Sequence, residues 1–150
     1  MNPDAFQAFL AEQQLPESFQ LTFDKVCLPL ASRAVALHRA KQRTVVLGLC
    51  GAQGSGKSTI AEASVALLRA EGLNAICLSL DDFYLGHEAR AWLAGKVHPL
   101  LAVRGPPGTH DVALACSILD SLALPQATAL PSFDKAFDER RPKSAWATAQ

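Results

Sequence analysis

The chain has 150 residues, of which 49% are hydrophobic, so it has enough apolar surface for one folded domain, and disorder is excluded as its main state. Fourteen Lys and Arg residues balance fourteen Asp and Glu residues, so no bulk charge favours nucleic acid or an anionic membrane. No apolar run is long enough to span a membrane, and the N-terminus lacks the basic region of a signal peptide. We therefore expect a cytoplasmic protein that binds neither nucleic acid nor membrane.

The first 42 residues show helical periodicity. Apolar residues at helical spacing predict a helix that is capped by Asp4 and ends near Gln14. A second helical pattern runs from Pro16 to Arg43, and Pro29 can break it. We expect an N-terminal helical segment over 1–42.

A strand, a helix and a second strand follow. The apolar run Thr44–Cys50 has the composition of a strand buried on both faces. Ser58–Ala70 predicts a helix that ends at Gly72, and Ala75–Leu80 predicts the second strand. This βαβ order predicts a parallel sheet that is covered by helices on both faces.

The remaining residues predict two helices and a weaker strand. The helices are Glu88–Val97 and Val112–Leu122, the second with Asp111 as its N-cap. Leu124–Phe133 predicts a third strand that prolines shorten, and the charged tail from Lys135 onward predicts irregular structure.

Four cysteines, Cys27, Cys50, Cys77 and Cys116, are scattered without a C-x-x-C pair. This distribution favours reduced cysteines in the core of a cytosolic protein over a disulfide framework or a zinc site.

A phosphate-binding loop follows the first predicted strand. The sequence G-A-Q-G-S-G-K-S fits G-x-x-x-x-G-K-[ST], and it opens a predicted helix, which is the context in which backbone amides and the helix N-terminus bind phosphate. Lys57 is predicted to reach the β- and γ-phosphates as a catalytic residue, and Ser58 to ligate Mg²⁺. The predicted ATP-binding residues are Gly51, Gln53, Gly54, Ser55, Gly56, Lys57, Ser58 and Thr59. No guanine-selecting Asn-Lys-x-Asp motif occurs, which favours ATP over GTP, so we assign 43–150 as a nucleotide-binding core.

Two carboxylates follow the second predicted strand, at the sheet edge where α/β proteins bind ligands. Phosphate transfer to an alcohol needs a base directed at the hydroxyl, and Asp81 is the candidate base as well as a candidate Mg²⁺ ligand. Asp82 either lies near the metal and the acceptor or is a cap or turn residue. The alternative is that both carboxylates only terminate the strand.

The order of these motifs resembles the uridine kinase, phosphoribulokinase and pantothenate kinase superfamily. The stretches L-S-L-D-D-F-Y-L, H-P-L-L-A-V-R-G-P-P-G-T-H-D and L-P-S-F-D-K, within residues 40–146, are similar to the D-glycerate 3-kinase-like family. The resemblance implies a three-layer α/β/α P-loop NTPase fold with a mostly parallel sheet, of which this chain provides about three strands. It also implies transfer of the ATP γ-phosphate to a hydroxyl of a small acceptor, and D-glycerate is the best candidate.

Several further residues are candidates for acceptor binding. Arg104 and His110, in a loop shaped by glycine and proline, can grip a carboxylate or phosphate, and Tyr84 can pack on the acceptor. The alternative is a rigid connector with a solvated Arg104, and a Tyr84 at the edge of the core. Asp134 and Arg140 resemble a uridine kinase segment whose carboxylate binds acceptor hydroxyls. The departures from that segment imply that the acceptor is not a nucleoside, and the alternative for these residues is a surface charge cluster.

The resemblance also implies that a second metal-holding acid lies beyond Gln150, so that the core is incomplete at its C-terminus. Whether the chain is an active enzyme at this length is therefore left open. The alternatives are a non-catalytic or partner-dependent ATP-binding protein, such as a homodimer that covers the open sheet edge, and a kinase for a pantothenate-like or sugar-like acceptor.

Overall fold

A computed structural model describes the backbone of residues 3–149 and the side chains of residues 6–149. The predicted cap at Asp4 therefore lies outside the described side chains. The chain divides into two compact units, Met1–Cys77 and Leu78–Gln150. Of the helices described, none has the length and apolar character needed to cross a bilayer.

The first unit is helical. Its helices are α1 (Pro3–Glu12), α2 (Phe19–Thr22), α3 (Leu28–Lys41) and α4 (Lys57–Ala70). The helices expected before Gln14 and after the phosphate loop are thus confirmed, and Gly72 follows α4 with φ +78°, a left-handed conformation that suits glycine.

Pro29 does not break the second helical pattern. The chain continues from α2 through a π-helical turn, Phe23–Cys27, into α3. The backbone N–H of Leu28 donates to the carbonyl of Phe23, one residue further back than in an α-helix. Pro29 is the second residue of α3, in the first turn of the helix, where a missing N–H does no harm.

Aromatic side chains form the core of the first unit. The rings of Phe6 and Phe23 lie with their centroids 4.4 Å apart, and Ala63 and Leu67 place α4 against them. The buried cluster consists of Phe6, Phe9, Leu10, Phe23, Cys27, Ala31, Ala63 and Leu67. The N-terminal helices therefore pack against α4 and support the helix that begins at the phosphate loop.

The expected parallel sheet is not present in residues 3–149. Neither Thr44–Cys50 nor Ala75–Leu80 forms a strand, and Val46 remains 64% exposed. A strand of this composition is stable only between neighbouring strands with both faces covered, and the described residues provide no such neighbours. The two runs are apolar but form no strands in this structure. The three-layer sheet and its open edge remain predictions, as does the homodimer that would cover that edge.

The expectation of four core cysteines is also wrong for three of them. Cys27 is buried, and burial raises the pKa of its thiol, whereas Cys50, Cys77 and Cys116 are exposed. Cys50 and Cys77 lie in the two uncovered apolar runs, and Cys116 lies on an exposed part of its helix. No disulfide joins the cysteines in the described part of the chain.

The second unit combines two helices with two small antiparallel sheets. The helices are α5 (His87–Lys96) and α6 (Val112–Leu122), as expected to within a residue or two, and the Asp111 carboxylate caps α6 by accepting from Leu114 N at 3.0 Å. The strands are β1 (Thr128–Leu130), β2 (Phe133–Asp134), β3 (Glu139–Arg140) and β4 (Ala147–Ala149).

These strands correct the reading of the C-terminal third. β1 pairs with β4 and β2 pairs with β3, both antiparallel. The third predicted strand is divided between β1 and β2 because Pro131 lies between them and has no N–H to donate to a ladder. The tail from Lys135 onward, which was expected to be irregular, contains β3 and β4, the partners of β2 and β1. The turn between β2 and β3 contains Lys135 and Asp138, which are described below.

Candidate functional site

The phosphate loop of the first unit has left-handed backbone at two of its glycines. Gly54 and Gly56 have φ of +75° and +79°, a conformation that residues with a Cβ adopt at a cost. The Lys57 ammonium donates to the carbonyl of Ala52 at 2.6 Å, and Ser55 N donates to the same carbonyl at 3.2 Å. The lysine is thus folded back over the loop.

Gly51 begins the loop close to Ser55. A Cβ on Gly51 would lie 3.0 Å from Oγ of Ser55, so a larger residue would displace the Ser55 hydroxyl. The loop is exposed, and Ser58 and Thr59 stand in the first turn of α4, where backbone N–H groups have no helical partner. These donors, with the Lys57 ammonium and the Ser58 hydroxyl, suit the phosphates and magnesium of a nucleotide. The described residues contain no cluster of three or more metal-ligating His, Cys, Asp or Glu side chains.

The second unit contains a cleft of about 380 Å³. Its lining residues are Asp81, Tyr84, Val103, Arg104, Lys135 and Asp138. The 3₁₀ turn Leu80–Phe83 presents Asp81, and Ser79 caps that turn by accepting from Asp81 N at 3.2 Å. The cleft therefore joins the carboxylate after the second apolar run to the R-G-P-P-G loop and to the β2–β3 hairpin.

Oppositely charged side chains are paired in this cleft. The Lys135 ammonium lies 2.6 Å from Oδ2 of Asp81, and Nε of Arg104 lies 2.7 Å from Oδ1 of Asp138. The guanidinium of Arg104 also stands over the Phe133 ring, 5.1 Å from its centroid. The open cleft thus contains the candidate base and two cations, each of which is paired with a carboxylate.

Tyr84 forms one wall of the site, and His110 stacks on it. Their rings are stacked with centroids 4.0 Å apart, and their backbones form an isolated antiparallel bridge. Arg140 holds the Tyr84 backbone in place, because it donates to the carbonyl of Tyr84 at 2.9 Å and to the Asp111 carboxylate at 3.0 Å. These contacts give Arg140 a positioning role, whereas acceptor binding was its predicted one.

Two predicted acceptor ligands are engaged with the protein. Asp82 accepts from the backbone N–H of Phe133 at 3.1 Å, which ties the Leu80–Phe83 turn to β2. Asp134 accepts from Phe137 N at 3.2 Å and pairs with Arg141 at 3.0 Å. The backbone hydrogen bond from Phe137 is the main reason why the pKa of Asp134 lies below its ordinary range. Both carboxylates shape the hairpin beside the cleft.

Sequence reasoning did not select Lys135 or Asp138 as site residues, although both line the cleft. Lys135 ends the L-P-S-F-D-K stretch, so the resemblance itself contained the signal. Asp138 is one of the residues at which the chain departs from the uridine kinase segment, and it lies in the stretch for which a surface charge cluster is the alternative. Its φ of +55° places it in a left-handed turn position that nothing in the local sequence predicts.

Comparison with known proteins supports a kinase. No protein-family model matches the chain. It is 32% identical over 140 residues to the uncharacterized kinase Mug58 of Schizosaccharomyces pombe, covering 88% of this chain and 49% of Mug58. It is 31% identical over 132 residues to the chloroplastic D-glycerate 3-kinase of Arabidopsis thaliana, covering 73% of this chain and 29% of that enzyme. The chain thus spans half or less of the length of these relatives.

Comparison with solved structures also finds a kinase. The D-glycerate 3-kinase of Cryptococcus neoformans var. grubii superimposes with a TM-score of 0.65 at 28% identity, over 84% of this chain and 49% of that structure. The chain is therefore similar, in sequence and in structure, to part of several proteins that are named as kinases. Its homologues include D-glycerate 3-kinases, as the three sequence stretches indicated.

Proposed function

We propose that the chain belongs to an ATP-dependent kinase that transfers the γ-phosphate to a hydroxyl of a small carboxylic acid, with D-glycerate as the best candidate. The observation that carries this proposal is the cleft in which the Asp81 carboxylate stands beside the cations Lys135 and Arg104. Glycerate has the two groups that such a cleft can recognise, a carboxylate and hydroxyls. Names of homologous kinases add support from an independent direction.

Nucleotide binding is assigned to the phosphate loop of the first unit. Backbone N–H groups from Gly51 to Thr59 and the N-terminus of α4 bind the phosphate oxygens, and Lys57 leaves its contact with Ala52 to pair with them. Ser58 provides a hydroxyl oxygen for magnesium. The metal, when bound, neutralises charge on the phosphate oxygens as phosphate is transferred.

Acceptor binding is assigned to the cleft of the second unit. Arg104 and Lys135 bind the carboxylate, since a guanidinium and an ammonium together match a planar anion. Tyr84, held against His110, provides a flat wall for the short carbon chain. Asp81 orients the hydroxyl and accepts its proton while the hydroxyl oxygen bonds to the γ-phosphorus and the bond to ADP breaks.

Other readings receive less support. The non-catalytic alternative is not favoured, because the named homologues are kinases. A neutral sugar-like acceptor would make no use of the positive charge on Arg104 and Lys135. The cytoplasmic location stays a prediction, and the Arabidopsis relative is chloroplastic.

The test is ADP release from Mg·ATP with and without D-glycerate. We expect D-glycerate to stimulate release in the wild-type chain, and Asp81→Asn to abolish the stimulation while leaving ATP binding intact. The matched control is Asp120→Asn, which changes an exposed carboxylate on α6. Stimulation that survives in Asp81→Asn would contradict the assignment of the base.

A further inference from the structure

Arg90 is a fully buried arginine, and each of its three side-chain nitrogens donates a hydrogen bond within the second unit. Its side chain is 0% exposed, Nε donates to the carbonyl of Leu85 at 2.9 Å, and Nη1 donates to the carbonyl of Ala102 at 3.0 Å. Nη2 donates to the backbone carbonyl of Asp138 at 2.9 Å and to its Oδ2 at 2.8 Å. A buried guanidinium needs such partners, because an unpaired charge in the interior is strongly destabilising.

Asp138 connects this buried arginine to the cleft. Oδ2 pairs with Arg90, and Oδ1 lies 2.7 Å from Nε of Arg104. The Arg90 hydrogen bond is the main reason why the pKa of Asp138 lies below its ordinary range, so the carboxylate stays ionised and can hold both guanidinium groups. Asp138, which Arg90 holds by its carboxylate and its backbone carbonyl, therefore helps to direct the Arg104 side chain. The Lys135 carbonyl, which accepts from Nη2 of Arg104 at 3.4 Å, and the Phe133 ring contribute to the same position.

The charges around the cleft leave a cation in excess. Arg90, Arg104 and Lys135 are positive, whereas only Asp81 and Asp138 are negative among the side chains that pair there. Asp138 pairs with two arginines, of which Arg90 is inaccessible and Arg104 is 28% exposed, so Arg104 is the one that a ligand can reach. Among the residues that the structure describes, Nη1 of Arg104 donates no hydrogen bond to the protein, so this nitrogen can donate to a ligand.

We propose that Asp138 is a positioning residue for acceptor recognition. Held by Arg90, it keeps the Arg104 guanidinium directed into the cleft, where Arg104 selects an acceptor with one carboxylate over a neutral analogue. The inference rests on the proposed function, because it refines how the same cleft chooses its acceptor. It adds the residues Arg90 and Asp138, which do not themselves touch the acceptor.

Asp138→Asn separates positioning from simple structural support. Asparagine keeps an oxygen for Arg90 Nη2, and its backbone carbonyl still accepts from Arg90. The side-chain NH₂ group of the asparagine then faces Arg104. Both groups are hydrogen-bond donors, so the contact with Arg104 is lost while the contact with Arg90 is kept. Asp120→Asn removes the same charge from an exposed site on α6 and is the matched control.

The experiment is calorimetric titration of the full chain with D-glycerate and with D-glyceramide, the neutral amide of the same acid, in the presence of Mg²⁺ and a non-hydrolysable ATP analogue. We expect Asp138→Asn to weaken D-glycerate binding roughly tenfold, the effect of losing one charge-assisted contact, without affecting D-glyceramide. Asp120→Asn should bind both ligands like the wild type. In Arg104→Lys, the further change Asp138→Asn should have little additional effect, since the two residues act together.

A second measurement uses the wild-type chain, so that the test survives if Asp138→Asn fails to fold. The ¹H–¹⁵Nε NMR signal of Arg104, identified by its loss in Arg104→Lys, should shift when D-glycerate is added and stay in place with D-glyceramide. Equal weakening of both ligands in Asp138→Asn, unchanged D-glycerate binding, or an Arg104 signal that ignores D-glycerate would each overturn the inference. Asp138-dependent binding without phosphate transfer would support it and overturn only the proposed reaction.

Discussion

The Lys135 ammonium lies 2.6 Å from Oδ2 of Asp81, so the candidate base and a candidate carboxylate ligand are in direct contact across the acceptor cleft. The two residues come from segments 54 positions apart. The contact means that an arriving acid can engage Lys135 by its carboxylate while its hydroxyl group is near Asp81.

Lys135→Gln tests this arrangement. We expect KM for D-glycerate to rise by roughly tenfold, because one charge-assisted contact is lost, while KM for ATP is unchanged. Lys96→Gln, which removes an exposed cation at the end of α5, is the control and should behave like the wild type. Steady-state kinetics with each substrate varied in turn gives both constants, and an equal rise in the two KM values would contradict the assignment of Lys135 to the acceptor.

Arg140 and Arg141 are neighbours with different predicted effects on stability. Arg140 is 21% exposed and joins Asp111 to the Tyr84 carbonyl, whereas Arg141 is 52% exposed and pairs with Asp134. Arg140→Leu should lower the free energy of unfolding by about 2–3 kcal/mol, since it leaves two acceptors without their donor. Arg141→Leu should cost less than about 1 kcal/mol, as for an exposed ion pair. Urea denaturation distinguishes these outcomes, and equal losses would show that Arg140 does not hold the Tyr84 wall.

Gly56 and Gly72 both have left-handed backbone, but only Gly56 lies in the phosphate loop, so the same substitution at each separates the effect of backbone strain from an effect on nucleotide binding. Gly56 and Gly72 have φ of +79° and +78°, and a Cβ at either would meet open space. Alanine at either position should therefore destabilise the chain by a similar ~1–2 kcal/mol of backbone strain. Only Gly56→Ala should also weaken Mg·ATP binding, by roughly tenfold, because it alone distorts the phosphate loop. Equal ATP affinity in the two variants would mean that the loop does not bind the nucleotide.

Cysteine labelling tests the uncovered apolar runs. Cys50, at the end of Thr44–Cys50, is exposed, whereas Cys27 is buried with a raised pKa. Iodoacetamide followed by mass spectrometry should modify Cys50 at a rate close to that of Cys116, and Cys27 only after unfolding. If Cys50 were protected as well as Cys27, the run would be buried in a sheet, as its sequence predicts.

The helices could be predicted from sequence, because their signals are local. The apolar spacing around Phe6 and Phe9, the Asp111 cap and the glycine after α4 all lie within a few residues of the structure they determine. The parallel sheet that the sequence predicts is not present in the described residues. Val46 and its neighbours are apolar enough for a buried strand, but the burial of a strand depends on partners that are distant in the chain.

The site divides in the same way. The phosphate loop and Asp81 could be proposed as site residues from the sequence, because each belongs to a motif of contiguous residues. The part played by Asp138 depends on Arg90, 48 positions earlier, and on a left-handed turn, and no spacing rule joins such residues. Acceptor binding by Arg140 stays a prediction, and its contacts with Asp111 and Tyr84 are known only from the fold.

The most direct test of the proposed function is ³¹P NMR of a reaction that contains the chain, Mg·ATP and D-glycerate. The account predicts a new phosphate monoester resonance that grows in step with ADP, disappears in Asp81→Asn and is absent when D-glyceramide replaces D-glycerate. ATP bound at the phosphate loop with no phosphate ester formed from D-glycerate would contradict it.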